Sequence, residues 1–78
     1  MTATLEITIN RKRFSPADGV KKMMTPAELA DLIDIPAQMA IVEREISRGE
    51  YSAVPADMLI EIEDRMHFLI TRHFVMGG

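Results

Sequence analysis

The chain has 78 residues, a formal charge of −3 and no cysteine. That length allows one small domain with a thin stability margin, because such a chain buries only about 60–65% of its unfolded surface. The missing cysteines exclude a disulfide, a thiolate metal site and a thioester held by the chain itself, so any thiol in its chemistry belongs to a partner.

Leu5, Ile7 and Ile9 alternate with Glu6, Thr8 and Asn10, the two-residue period of a half-buried strand. Asn10-Arg11-Lys12 interrupts the pattern and Arg13-Phe14 resumes it, which predicts a hairpin. Its second strand is poorly defined through Ser15 to Gly19, where Pro16 and Gly19 place a bend or bulge. Val20 to Met24 either completes that strand or approaches a helix as a loop. Thr25-Pro26-Ala27-Glu28 is the clearest local signal: a capping hydroxyl, proline at the first helical position and glutamate at the third. Leu29, Leu32 and Ile33 follow at helical spacing. Pro36 disfavours helical geometry at Ile35, so the spacing predicts a helix of about ten residues.

Met39 to Val42 is an apolar run ending in Glu43-Arg44-Glu45, read as the third strand, with apolar side chains on both faces. Ser47-Arg48-Gly49-Glu50 is a turn, and Tyr51 to Asp57 is read as irregular. Met58, Ile60 and Ile62 alternate with Leu59, Glu61 and Glu63, giving another short strand, and Glu63-Asp64-Arg65 a turn. Met66 to Arg72 is the last strand, with Met66, Phe68 and Ile70 on one face. The first and last strands are the most apolar and the best placed to lie centrally as a parallel pair. The fold class is therefore α+β: a mixed four- to five-stranded sheet packed on one short helix over residues 1–71, with a diglycine tail over 72–78.

The acidic balance argues against general nucleic-acid affinity. Arg11-Lys12-Arg13, with Lys21-Lys22 behind it, lacks an aromatic platform other than Phe14 and reads as a solvated hairpin tip. The start from Met1 to Glu6 carries no basic segment leading into an apolar run, and no apolar stretch approaches the ~20 residues of a membrane span. A cytoplasmic location is expected. Glu43 with Glu45, and Glu61 with Glu63, could each pair on a strand face, but such alternation marks the solvent side of a sheet. His67 and His73 fit no common zinc spacing. Neither a nucleophile set nor a phosphate-cradling loop is present, so no catalytic residue and no metal site is assigned.

The last two residues, Gly77-Gly78, follow the apolar stretch from Met66 to Met76. A terminal glycine leaves its carboxylate unshielded, and a second one lets the backbone enter a slot too narrow for a Cβ. Such a carboxylate can be adenylated, passed to a thiol and joined to an amine. Arg72 to Gly78 can extend about 20–24 Å at ~3.3 Å per residue, enough to thread a partner's channel.

This order of elements, on this length and ending in Gly77-Gly78, resembles the β-grasp arrangement of ubiquitin-like proteins. Ile7-Thr-Ile-Asn10 followed by Lys12-Arg13-Phe14 looks like the first hairpin of the bacterial multi-ubiquitin family. The segment Thr25 to Pro36 is similar to that family's helix, and Ile60 to Phe68 to its acidic-basic turn and closing strand. The resemblance implies a protein modifier rather than an enzyme. It implies genes alongside for an E1-like activating enzyme, an E2-like conjugating enzyme and a JAB-type metalloprotease, in sets several of which are implicated in antiphage defence. It also implies no bound cofactor, ATP being used by the activating enzyme. Ubiquitin has arginines just before its diglycine, whereas here Phe74-Val75-Met76 stands there with Arg72 and His73 as the nearest basic groups. These five residues are the expected recognition segment, and the cognate enzyme should offer an apolar entry slot.

The seven methionines read mostly as core or near-core fillers, with Met39 and Met76 less easily assigned inward. Met39, Ile41 and Leu69 form the expected partner-binding patch on the sheet, provided Val42 and Phe68 face the helix. Two other readings stand beside the modifier. One is a sulphur carrier with a terminal thiocarboxylate, resembling the molybdopterin-synthase small subunit or the thiamine-pathway carrier. The other is an interaction module whose diglycine is incidental.

Overall fold

The fold, seen in a computed structural model that describes residues 5–73, begins with a two-residue hairpin. Strand β1 (Ile7–Ile9) turns at Asn10-Arg11 into β2 (Lys12–Phe14), with Ile9 opposite Lys12 and Ile7 opposite Phe14. Asn10 and Arg11 both have positive φ, 53° and 71°. That conformation matches the natural twist of two antiparallel strands, and asparagine tolerates it better than most residues. Pro16–Asp18 then forms one 3₁₀ turn closed by Gly19 at φ 114°. The stretch from Val20 reaches β3 (Met23–Met24), which does not extend β2 but pairs with β6 (Ile60–Glu61) in a separate two-stranded sheet.

Helix α1 (Pro26–Asp31) starts where the capping pattern puts it. The Glu28 N–H donates to Thr25 Oγ1 at 3.3 Å and the Thr25 N–H donates to Glu28 Oε1 at 3.0 Å. It is six residues long rather than the expected ten. The chain leaves helical geometry after Leu32, and Asp34 takes a left-handed φ of 59° so that the Ile35 N–H closes back on the Ala30 carbonyl. Leu29 and Ala30 are buried, with Leu32 and Ile33 packed partly against the core.

A 3₁₀ turn at Ala37–Met39 leads into β4 (Ala40–Ser47), so Met39 precedes the strand instead of opening it. The strand also continues well beyond Val42, through the charged residues to Ser47. It turns at Arg48-Gly49 into β5 (Glu50–Ala53), a strand in the region read as irregular. All four β5 residues are exposed, so no hydrophobic alternation could betray it. Last comes β7 (His67–Arg72), running one residue beyond the sequence-based domain boundary.

The main sheet has the order β2-β1-β7-β4-β5. β1 and β7 are parallel, as the apolar content of the two strands suggested, and the other neighbours are antiparallel. Ile7, Ile9, Val42, Phe68 and Ile70 point inward and meet Leu29, Ala30 and Met24, with Ile60 and Ile62 closing the side. The observed class is thus α+β, a mixed five-stranded sheet with one short helix on one face. The methionines depart from expectation: Met24 is buried and Met66 partly so, but Met23 and Met58 are exposed.

Candidate interaction face and tail exit

The face of the main sheet turned away from the helix is built by alternation. Because Val42, Phe68 and Ile70 are buried, their neighbours Ile41, Glu43, Leu69 and Thr71 must point outward. Ile41 lies opposite Thr71 and Glu43 opposite Leu69. Ile41 is 43% exposed and Leu69 39%, so two of the three expected patch residues stand on this surface. Met39 differs. It is half-buried in the turn before β4, beside the end of β7.

There β7 ends at Arg72. Ala40 pairs with Arg72, the His73 N–H donates to the Met39 carbonyl at 2.6 Å, and Arg72 Nη2 reaches the Met39 sulfur at 3.9 Å. Met39 therefore holds Arg72 and His73, the first two of the expected recognition residues, with Ile41 immediately alongside. The rest of that segment, Phe74, Val75 and Met76, and the expected conjugation residues Gly77 and Gly78 lie outside the described residues.

Further along the face, Thr8 stands between Arg13 on β2 and His67 on β7, and its Oγ1 is hydrogen bonded to His67 Nδ1. His67 is exposed. A shallow concavity here is lined by Thr8, Arg11, Arg13, Tyr51, His67 and Leu69. Sequence reasoning missed Tyr51 and left Arg11 and Arg13 as a hairpin tip. The alternation of β1 puts Thr8, and hence its partner Arg13, on the outer face, a signal that was there to be followed.

On the other flank Glu45 lies opposite Tyr51, and its Oε2 accepts the Gly49 N–H at 3.1 Å. At the edge of β4, between the sheet and the start of α1, an alanine-rich hollow of about 210 Å³ adjoins Ile41 and is walled by Pro26, Ala27, Ala37, Ala40, Val42 and Val54. It is large enough to take one apolar side chain. Away from this face, Met23, Met58 and Leu59 are exposed around the β3–β6 pair.

Among the described residues no group of three or more acidic or histidine side chains is arranged to hold a metal ion, and Glu43 and Glu45 face outward at the sheet surface. No helix among them is long and apolar enough to cross a membrane. Among the described residues the one resolved perturbation of an ionisable group is at Glu28, held below the usual carboxylate range by the Lys21 ammonium and then by the Thr25 N–H. That pair serves the helix start and not the sheet face. Comparison of the chain with family models, curated proteins and solved structures finds no match.

Proposed function

We propose that the chain is a ubiquitin-like protein modifier of β-grasp fold, similar to the bacterial multi-ubiquitin family. Its Gly78 carboxylate attacks the α-phosphate of ATP on an E1-like enzyme and releases pyrophosphate. An enzyme thiol displaces AMP, the acyl group passes to the thiol of an E2-like enzyme, and a target amine displaces that thiol to leave an amide. A JAB-type metalloprotease would hydrolyse that bond, and the setting is a cytoplasmic antiphage-type system.

The observation that carries this reading is the exit of β7. The central strand of the sheet delivers the chain at Arg72 and His73, pinned by Met39, directly beside exposed Ile41 and Leu69. A partner reading the Ile41–Leu69 surface would meet the base of the tail at the same time, and the segment to Gly78 is long enough to reach a buried reaction centre. The alanine-rich hollow next to Ile41 offers that partner a place for one apolar anchor.

Incubation with ATP and with the activating and conjugating enzymes encoded beside the chain should give protein-sized adducts. Deleting Gly78 should abolish them. Identical adducts from the deleted chain would sink the terminal-carboxylate mechanism, and an oxygen-to-sulphur exchange at Gly78 in the intact mass would favour the sulphur carrier instead.

A further inference from the structure

The outer sheet face is electrically bipolar. Arg11 and Arg13 stand on the β1–β2 flank, and neither has an ion pair or hydrogen-bond partner among the described residues. Glu43 and Glu45 stand on the β4 flank, with Arg48 beside Glu45 at its far end, and the Glu43 side chain likewise has no partner among the described residues. Between them, on β7, lie exposed Leu69 and His67, with exposed Ile41 on β4 and Tyr51 on β5. A uniformly acidic partner would suit the first flank and be repelled by the second. The surface that complements both is the same surface turned over.

The strand register makes this concrete. β7 is the middle strand, with β1 and β2 to one side and β4 and β5 to the other. A twofold axis lying in the interface along β7 lays β1 and β2 of one copy over β4 and β5 of the other. Levels along the strands are preserved by that rotation. Arg13 is level with Thr8 and therefore with His67. Extending the Glu43–Leu69 register by two residues puts Glu45 at that same level, with Tyr51 beside it, and His67 shares a concavity with both. Arg11 is two residues on, near the level of Leu69, and so of Glu43. The rotation thus lays β2 over β5 and β1 over β4 of the second copy: Arg13 comes over the Tyr51 ring and Arg11 over Ala53, with Glu45 and Glu43 one strand spacing of about 4.8 Å further in, within reach of the arginine side chains. Leu69 and His67 then meet their own counterparts at the axis. Stacked sheets sit about 10 Å apart, a gap that arginine and glutamate side chains span together. The arginine–tyrosine contact adds a cation–π component.

We infer that this chain self-associates face to face through the outer surface of its main sheet, about a twofold along β7, with Arg11 and Arg13 of each copy against Glu43 and Glu45 of the other. The inference goes beyond the modifier reading and does not depend on it. The contact is small: five strands at about 4.8 Å by some four residues give a footprint of roughly 320 Å² per copy, well under a standard interface of about 800 Å² per partner. The dimer is therefore weak and transient, with a Kd of about 0.1–1 mM. It covers Ile41 and Leu69, so self-association and any partner using those residues exclude one another.

The test is sedimentation equilibrium of the full chain from about 20 µM to 2 mM, at low and at moderate salt. A reversible dimer that weakens with salt is expected. Arg11→Glu and Glu43→Arg should each weaken it by about tenfold, and the double variant R11E/E43R should restore it to within about threefold of the original. Melting curves of all three variants check that these exposed or half-exposed positions leave the fold intact. A chain that stays monomeric at 2 mM overturns the inference. So does a dimer that the double variant fails to restore, since its surface would lie elsewhere.

Discussion

The carboxamide of Asn10 takes both backbone groups of Ile70: its Oδ1 accepts the Ile70 N–H at 2.8 Å and its Nδ2 donates to the Ile70 carbonyl at 3.0 Å. Asn10 sits where β1 has already turned away at positive φ, so its side chain continues the parallel pairing of β1 with β7 after the backbone has stopped doing so. The amide also satisfies groups in the middle of the sheet that would otherwise lack a partner. Asn10→Ala removes both bonds and the residue type suited to that φ. We expect a loss of about 2 kcal/mol, seen as a melting temperature lower by about 8–16 °C. Asn10→Asp keeps the acceptor and loses the donor, and should fall between. An unchanged melting temperature in the alanine variant would mean that the pairing ends at Ile9 without cost.

Acid should loosen the start of the helix first. Glu28 is held below its usual range by Lys21 and by the Thr25 N–H. Because its folded-state value is the lower one, its contribution is present in full above the unfolded value of about 4.3 and is lost as pH falls through the folded value. Glu28→Gln should flatten the stability profile across that acidic window while leaving the neutral side nearly parallel. A profile that keeps its full acid slope without Glu28 would assign that slope to other carboxylates.

Arg44 shares the inward face of β4 with Val42, opposite Phe68, and its Nε is buried with no hydrogen-bond partner among the described residues. An unpaired buried donor costs about 1–3 kcal/mol, while the aliphatic stem packs usefully. Arg44→Met keeps the stem and discards the donor. A gain of about 1 kcal/mol is expected in urea unfolding, as a shifted midpoint at unchanged slope. A loss instead would reveal a partner for the guanidinium in solution.

Phe74 follows the pinned pair Arg72 and His73 and is the largest apolar side chain before the glycines. If an activating enzyme receives it, full burial contributes roughly 2–3 kcal/mol, about 30- to 150-fold in affinity. Phe74→Ser should then weaken activation strongly while barely moving the melting point. A fall in melting temperature of the size a core substitution gives would assign Phe74 to the fold.

Much of the fold was legible because several elements carry strong local codes. Thr25-Pro26 with Glu28 specifies a helix start by itself, and the alternation of Ile7, Ile9, Phe68 and Ile70 specifies two strands with one buried face. What was misread has long-range causes. β5 buries none of its four side chains and exists because β4 offers it an edge, which no local pattern records. β3 is two residues long and is held by β6, nearly forty positions away. The helix was overestimated because Leu32 and Ile33 keep helical spacing from Leu29 while serving a turn that Asp34 makes. At the candidate face, inward Val42 and Phe68 correctly put Ile41 and Leu69 outside. Met39 could not be located without knowing that a 3₁₀ turn precedes β4.

The pairing of β1 with β7 has a further consequence for how the molecule comes into being. The two strands at the middle of the sheet lie near opposite ends of the sequence, and the Thr8–His67 and Asn10–Ile70 contacts close loops of about sixty residues. An N-terminal portion that stops before β7 cannot complete this core, because Ile7 and Ile9 lack the neighbouring strand that carries Phe68 and Ile70. Acquisition of structure therefore waits until β7 has been made and then proceeds slowly, since the entropy of a long closure is spent before the central contacts form. Truncations that stop short of β7 should be unfolded and readily degraded, leaving the intact chain as the form that persists.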